Sequence, residues 1–335
     1  MAGNPDFDLL VTTTLRKRMG KVADNATVST ALLDRLRRKG KNKKVDGGRT
    51  IVQPLEIGLN PNGGFFSGSD TLSTTIFDHL TAAEYQWRNA YMPCGWTGEE
   101  RRKNSGDSQV IEAVASRIKN TEDSLVDLIA QASYSNGTSF GGKQMHGLGL
   151  MVVASPSSGV VGGIDRGGTG NTFWRNQTGT VAMATAQNLA GSSGANPSPM
   201  IQAMNTLTFA CARGKDKPDL YVTDTVGYSR YTESMQGLQQ ITNTEMAGAG
   251  FINLKYYAGG TNADVVLDNG YCPSKTMYAL NTDYIYFVTH TDLDFQPLGG
   301  ERIPVNQDAI IKYFGVMGNF AASNLARQGI LTSSN

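Results

Sequence analysis

Cysteine is scarce in this chain: Cys94, Cys211 and Cys272 are odd in number and scattered, with no CxxC pair. That argues against a disulfide framework or a cysteine-built zinc site and fits a reducing cytoplasm. Long apolar runs are missing as well. None approaches the ~18 residues of a membrane span, so no membrane partner is expected. Met1-Ala2-Gly3-Asn4-Pro5 lacks the basic-then-apolar layout of a secretory signal. Exit from a cell would be by lysis or packaging. Basic residues are absent from 54–86, and no lysine lies between Lys44 and Lys103. A nucleic-acid stacking platform needs cations among its aromatics, so this stretch cannot be one.

Catalytic patterns are also thin. His79, His146 and His290 stand alone, without HExxH spacing or a neighbouring carboxylate–cysteine cluster. No G-x-S-x-G elbow occurs, and serines gather where turns are expected. Asp292 and Asp294 lack the rest of a calcium loop and read as a solvated turn. Gly137-Thr138-Ser139-Phe140-Gly141-Gly142-Lys143-Gln144 matches a phosphate-binding loop up to its last position. Gln144 has no hydroxyl for Mg²⁺, and the motif follows a helical pattern instead of a strand. A nucleotide-binding enzyme using 137–144 is therefore the remote alternative. No catalytic residue, metal or cofactor is expected.

What is present is asymmetric and extended. Residues 1–50 carry 12 Lys/Arg and 5 Asp/Glu, a net +7, which leaves −6 on the rest of the chain. A basic arm of this kind can bind nucleic acid or the acidic body of another copy. Ser29 reads as the N-cap of a helix over Thr30–Lys39, with Leu32, Leu33 and Leu36 on its apolar side. Arg37, Arg38 and Lys39 occupy its last turn, where cations complement the helix dipole, and Gly40 stops it. These three cations are candidate contacts to a neighbouring subunit.

Gly47 and Gly48, candidate hinges, open a two-stranded arm. Thr50–Ile57 forms one side, Thr71–Phe77 the return, and Asn62–Gly68 a glycine-aromatic tip with Phe65 and Phe66. An isolated hairpin is marginal in water, so the arm needs another surface, and the two phenylalanines read as anchors into a partner's pocket. From Asp107 to Ser135 apolar residues recur at helical spacing: Ile111, Val114, Ile118, Leu125, Leu128, Ala132. Roughly 29 residues make a rod of about 43 Å at about 1.5 Å each. Gly147–Val153 reads as a strand. Helices over Met200–Arg213 and Val226–Gln236 then alternate with strands near Leu220–Asp224, Phe251–Tyr257, Ala263–Leu267, Thr276–Leu280 and Tyr284–Thr289. Ala309–Val316 and Gly318–Leu325 are apolar enough to return to the core.

A basic arm, a long hairpin, a spine helix, a mixed periphery and an α/β module, in that order, resemble the major capsid proteins of tailed bacteriophages, with their Hong Kong 97-like fold. Local stretches carry the likeness: Gly47–Val52, Gly163-Ile164-Asp165-Arg166, Phe173–Gln177, Lys217–Asp224 and Val305–Ala309. The resemblance implies an α+β chain with an N-terminal arm over 1–48 and an extended loop over 49–104. Spine helix and peripheral domain would occupy 105–198, an axial domain 199–289, and a return to the periphery 290–335. It further implies pentamers and hexamers of this chain in an icosahedral shell around double-stranded DNA. Partners would be a portal protein, with a separate scaffolding protein or none, and a decoration protein. The implied place is the virion, assembled in the host bacterial cytoplasm. Some members link a loop lysine to a neighbour's asparagine; this hairpin has no lysine, so its shell would hold without that bond. An encapsulin-type nanocompartment shell is the alternative with the same fold.

Overall fold

Leucines at helical spacing near residue 30 form α1, Ala31–Arg38, with Leu32, Leu33 and Leu36 buried. The structure, a computed structural model, describes residues 30–99, 107–181, 199–235, 254–268 and 270–333; Ser29, the expected cap, lies outside them. At the other end of α1, Gly40 adopts φ +64°. Its N–H donates to the Arg37 carbonyl, and the Lys41 N–H to that of Leu36, the paired bonds of a left-handed helix stop.

Next come β1 (Asn42–Val45), β2 (Ile51–Glu56), β3 (Leu80–Tyr85) and β4 (Arg88–Thr97), and then α2, the spine helix, Asp107–Ser133. At 27 residues α2 is a rod of about 40 Å. Ile118, Leu125, Ile129 and Ala132 are buried along it, largely against β4 and the long strand β14 (Ala309–Ala322). The two apolar segments expected at 309–325 are thus one 14-residue strand. It pairs with β4 over Ala309–Gly318 and with β12 (Ile285–His290) over Gly318–Ala322. Parallel β1 on β12, and the short β13 (Gln296–Pro297) on β14, complete a five-stranded sheet.

A second, six-stranded sheet has the order β7-β15-β11-β8-β10-β9. Its strands are β7 (Gln177–Val181), β8 (Leu220–Thr223), β9 (Leu254–Ala258), β10 (Thr261–Leu267), β11 (Thr276–Leu280) and β15 (Gly329–Ser333). Both faces are covered, which is why its strands read as unbroken apolar runs. Tyr221, Val265, Met277 and Leu331 face a cluster shared with α3 (Pro199–Cys211) and α4 (Thr225–Met235). Their neighbours Leu220, Val222, Val266, Tyr278 and Ile330 join the main core with the spine helix. Between spine and α/β module a small ribbon, β5 (Val160–Val161) with β6 (Ile164–Asp165), backs the hairpin.

Several expectations are corrected. Gly147–Val153 contains one helical turn, Leu148–Met151, instead of a strand; a short apolar run signals burial without fixing the period. The hairpin's return strand is Leu80–Tyr85, not Thr71–Phe77. Ladder pairing sets Ile51 opposite Tyr85 and brings four buried residues, Ile51, Leu55, Ala83 and Tyr85, onto the body, whereas Thr71–Phe77 has no comparable apolar face. Strand pairing also crosses the expected domain ranges. β12, assigned to the axial range, sits in the five-stranded sheet, and β15, assigned to the periphery, is an inner strand of the six-stranded one. Pairing with β1 and β14 places β12, and pairing with β7 and β11 places β15; no local pattern encodes these partners.

Candidate assembly interface

The β2–β3 ladder has six residue pairs, closed by a bond from the Ile57 N–H to the His79 carbonyl (2.9 Å). Its base is locked: the Tyr85 hydroxyl donates to the Ala322 carbonyl (3.1 Å), and the Glu84 N–H to that of Gly162 (2.9 Å). A Cβ on Gly162, at φ +58°, would lie 2.8 Å from that of Ala83, so only glycine lets the ribbon approach. Gly47 and Gly48 precede β2 at φ +138° and +112°, and the Gly48 carbonyl accepts from the Trp87 indole (2.9 Å).

Past the ladder local polar bonds brace the finger. The Asn62 amide donates to the Thr75 carbonyl (2.8 Å), and the Ser67 N–H to the Asp70 carboxylate (2.8 Å). Phe65 is fully exposed, and Leu59, Phe66, Leu72 and Ile76 are largely so. Five large apolar side chains on one projection form a patch that monomeric surfaces rarely carry.

The basic run of α1 turns inward. Arg37 and Arg38 pair with the buried Asp34 (3.4 and 2.7 Å), and Lys39 reaches Asp219 (3.1 Å) and Asp283 (3.2 Å). Arg35, which sequence reasoning passed over, is the centre of this joint. It bonds Asp219 (3.1 Å) and Asp264 (3.2 Å), while Asp219 also accepts from the Thr282 N–H and hydroxyl. Within the chain these cations thus meet acids of α1 itself and of the segments at 219 and 283. Cation-to-acid complementarity is legible in the sequence, but not which copy supplies the acid. Burial works against the Asp283 charge, yet Lys39 and Lys41 prevail and hold its carboxyl below the ordinary range.

A groove of about 610 Å³ opens between β4, the C-terminal half of α2 and the turn beyond it. Its walls include Tyr91, Met92, Leu128, Phe140, Lys143 and Met145. The turn is the stretch that resembles a phosphate loop. Phe140, Gly141 and Gly142 all take left-handed backbone (φ +55°, +67°, +76°), and the stretch leads from a helix into a helical turn. Strand–loop–helix geometry for phosphates is absent there, so the nucleotide reading loses its frame.

Arg88 and His146 tie this turn down. The Arg88 guanidinium donates to the Gly142 carbonyl and approaches His146 Nε2 (3.4 Å). The Asn319 amide nitrogen lies 3.4 Å from His146 Nδ1, and its Oδ1 accepts from the His146 N–H (2.8 Å). Burial first, and Arg88 second, lower the affinity of the imidazole for a proton. On the other side of α2, Tyr134 donates to Asp268 (2.6 Å) and Tyr271 to Asp127 (2.5 Å), fastening the spine to the α/β module.

No protein-family model matches the chain, and no curated protein matches it. Solved structures do. The capsid asymmetric unit of cyanophage A-1(L) superposes with a TM-score of 0.59 at 15% identity, covering 86% of this chain and 89% of that one. The capsid of a native GTA particle gives 0.55 at 10% identity, with 90% of each chain covered. A structure from Gordonia phage Cozz gives 0.52 at 11%, covering 89% and 86%. At such identities the likeness is one of fold, and it extends over nearly the whole chain. The α+β chain has the Hong Kong 97-like capsid fold.

Proposed function

We propose that this chain is the major capsid protein of a tailed phage, assembling through hexamers and pentamers into an icosahedral head around double-stranded DNA. The carrying observation is the finger: five large apolar side chains on one projection, each left largely exposed by its own chain. Phe65 and Phe66 stand exposed beyond the six-pair ladder and are not among the walls of their own chain's groove. The receiver is therefore a second copy, whose groove offers Tyr91, Met92 and Leu128 to Phe65 and Phe66. The finger carries acids but no cations from Thr50 to Trp87, and Lys143 stands at the groove's wall. Fully burying each phenylalanine contributes roughly 1.5–3 kcal/mol. Repeated around a closing axis, such a head-to-tail contact gives rings. Gly47 and Gly48 serve as the hinge that lets one chain fit both ring sizes.

Partners beyond the chain itself follow from the shell: DNA on its inner face, a portal protein, and a scaffolding or decoration protein. The virion is the final location, with assembly in the host cytoplasm. An encapsulin-type shell shares the fold, and phage-type neighbours favour the head-shell reading. Electron microscopy of the chain expressed alone tests the proposal. Closed shells or capsomers are expected, and deleting Asn62–Gly68 should leave folded subunits that form no closed particle. Normal particles from the deletion would overturn the role of the finger; a strictly monomeric wild type at assembly concentrations would overturn the shell.

A further inference from the structure

We propose that Arg88 and His146 form a proton-sensitive latch on the turn that follows the spine helix. The turn, residues 137–146, is fastened at two points: Arg88 donates to the Gly142 carbonyl, and the His146 ring sits between Arg88 and Asn319. Both ring nitrogens face donors. The Asn319 orientation is set, because its Oδ1 accepts from the His146 and Phe320 N–H groups and its amide nitrogen donates to the Gln86 carbonyl. A neutral imidazole can accept from Arg88 through Nε2. A protonated one has no acceptor to offer and places a second cation 3.4 Å from the guanidinium.

The charged surroundings leave no compensation. Arg88 comes from β4, β14 contributes neutral Asn319, and the exit of α2 contributes Gly137, whose position would not admit a Cβ beside the ring (2.7 Å). Among the described residues Arg88 is the charged group that acts on the imidazole, and no carboxylate does. Because the folded chain binds the proton less readily than an unfolded one, the latch is intact above the ordinary histidine value of about 6.5 and is lost as pH falls below it.

Release has a defined target. Phe140, Lys143 and Met145 of the same turn form one wall of the groove. Phe140 is held there in left-handed backbone that a phenylalanine otherwise avoids, so the turn relaxes once its fastening goes. Acid thus reshapes the groove. That last consequence bears on assembly only if the groove receives a neighbour, as proposed above; the latch itself is internal to one chain.

Hydrogen exchange of the purified full chain, as particles or unassembled, tests it at pH 7.5 and pH 5.0, with times scaled for intrinsic exchange. Peptides covering 137–146 are compared with β11 peptides. Wild type should lose protection in the turn several-fold relative to β11 at pH 5.0, because protonation of the imidazole favours the released turn. His146→Gln, which can accept from Arg88 without gaining a proton, should hold its protection. Unchanged protection in wild type, or an equal acid loss in His146→Gln, overturns the latch. Should His146→Gln not fold, Arg88→Gln decides by the same criterion: removing the opposing charge must shrink the acid loss. None of these outcomes depends on shells forming, so a failure of the latch and a failure of the shell are told apart.

Discussion

Asp268 lies almost fully buried at the end of β10, accepting from the Tyr134 hydroxyl and the Ala31 N–H, and so touches the spine helix and α1 at once. Burial raises its carboxyl to about 6, against the pull of those two bonds. A folded chain keeps this proton between about pH 4 and about pH 6, where an unfolded chain releases it. Stability therefore falls as pH rises through that window, by about 2–3 kcal/mol at about 1.4 kcal/mol per unit. Asp268→Asn keeps an acceptor and removes the charge. We expect it to raise the urea midpoint at pH 7.5 and to make little difference at pH 4.5. At the opposite end of α1, Arg35→Ala leaves Asp219 and Asp264 with fewer partners; a loss of about 1–3 kcal/mol is expected, read from chemical unfolding at low salt. Individual residues of this sort are the least legible from sequence. His146 reads as isolated because its partners stand 58 and 173 positions away. Phe65 and Phe66 are legible because an aromatic pair among glycines has few other uses.

Among elements, the spine helix and the helices of the α/β module can be read to within two residues, since an amphipathic period repeats over several turns. The hairpin's existence is equally clear, but not its register. Residues 71–77 alternate as a strand should, while Tyr85 wins the pairing through contacts with residues near 162 and 322. Gly147 gives an element-scale prediction. A Cβ there would fall 2.2 Å from the Ala132 carbonyl, where the turn crosses the end of the spine. Gly147→Ala should cost about 1–3 kcal/mol and lower the thermal midpoint measured by calorimetry. The paired change Phe65→Ser with Phe66→Ser should act differently. It should leave the unassembled subunit's midpoint nearly unchanged and lower that of the particle, because both rings are largely exposed within their own chain.

Among the described residues, much of the charge asymmetry is met within the chain. Cations of α1 and the segment after it meet Asp219, Asp264, Asp283 and Asp294 of the same chain. We expect contacts between copies to rest mainly on apolar surface. Particle yield should accordingly change little between about 0.05 and 0.5 M salt, a range over which exposed ion pairs are strongly screened; light scattering would show a steep fall if cations bridged the copies. The topology also sets an order of events. β15, at 329–333, is inserted between β7 and β11, two strands laid down well before it. Until those late residues leave the ribosome, the larger sheet has an open slot between its edge strand β7 and the rest. A half-made polypeptide thus lacks a finished surface to offer its siblings, which delays partnership until synthesis has reached that strand.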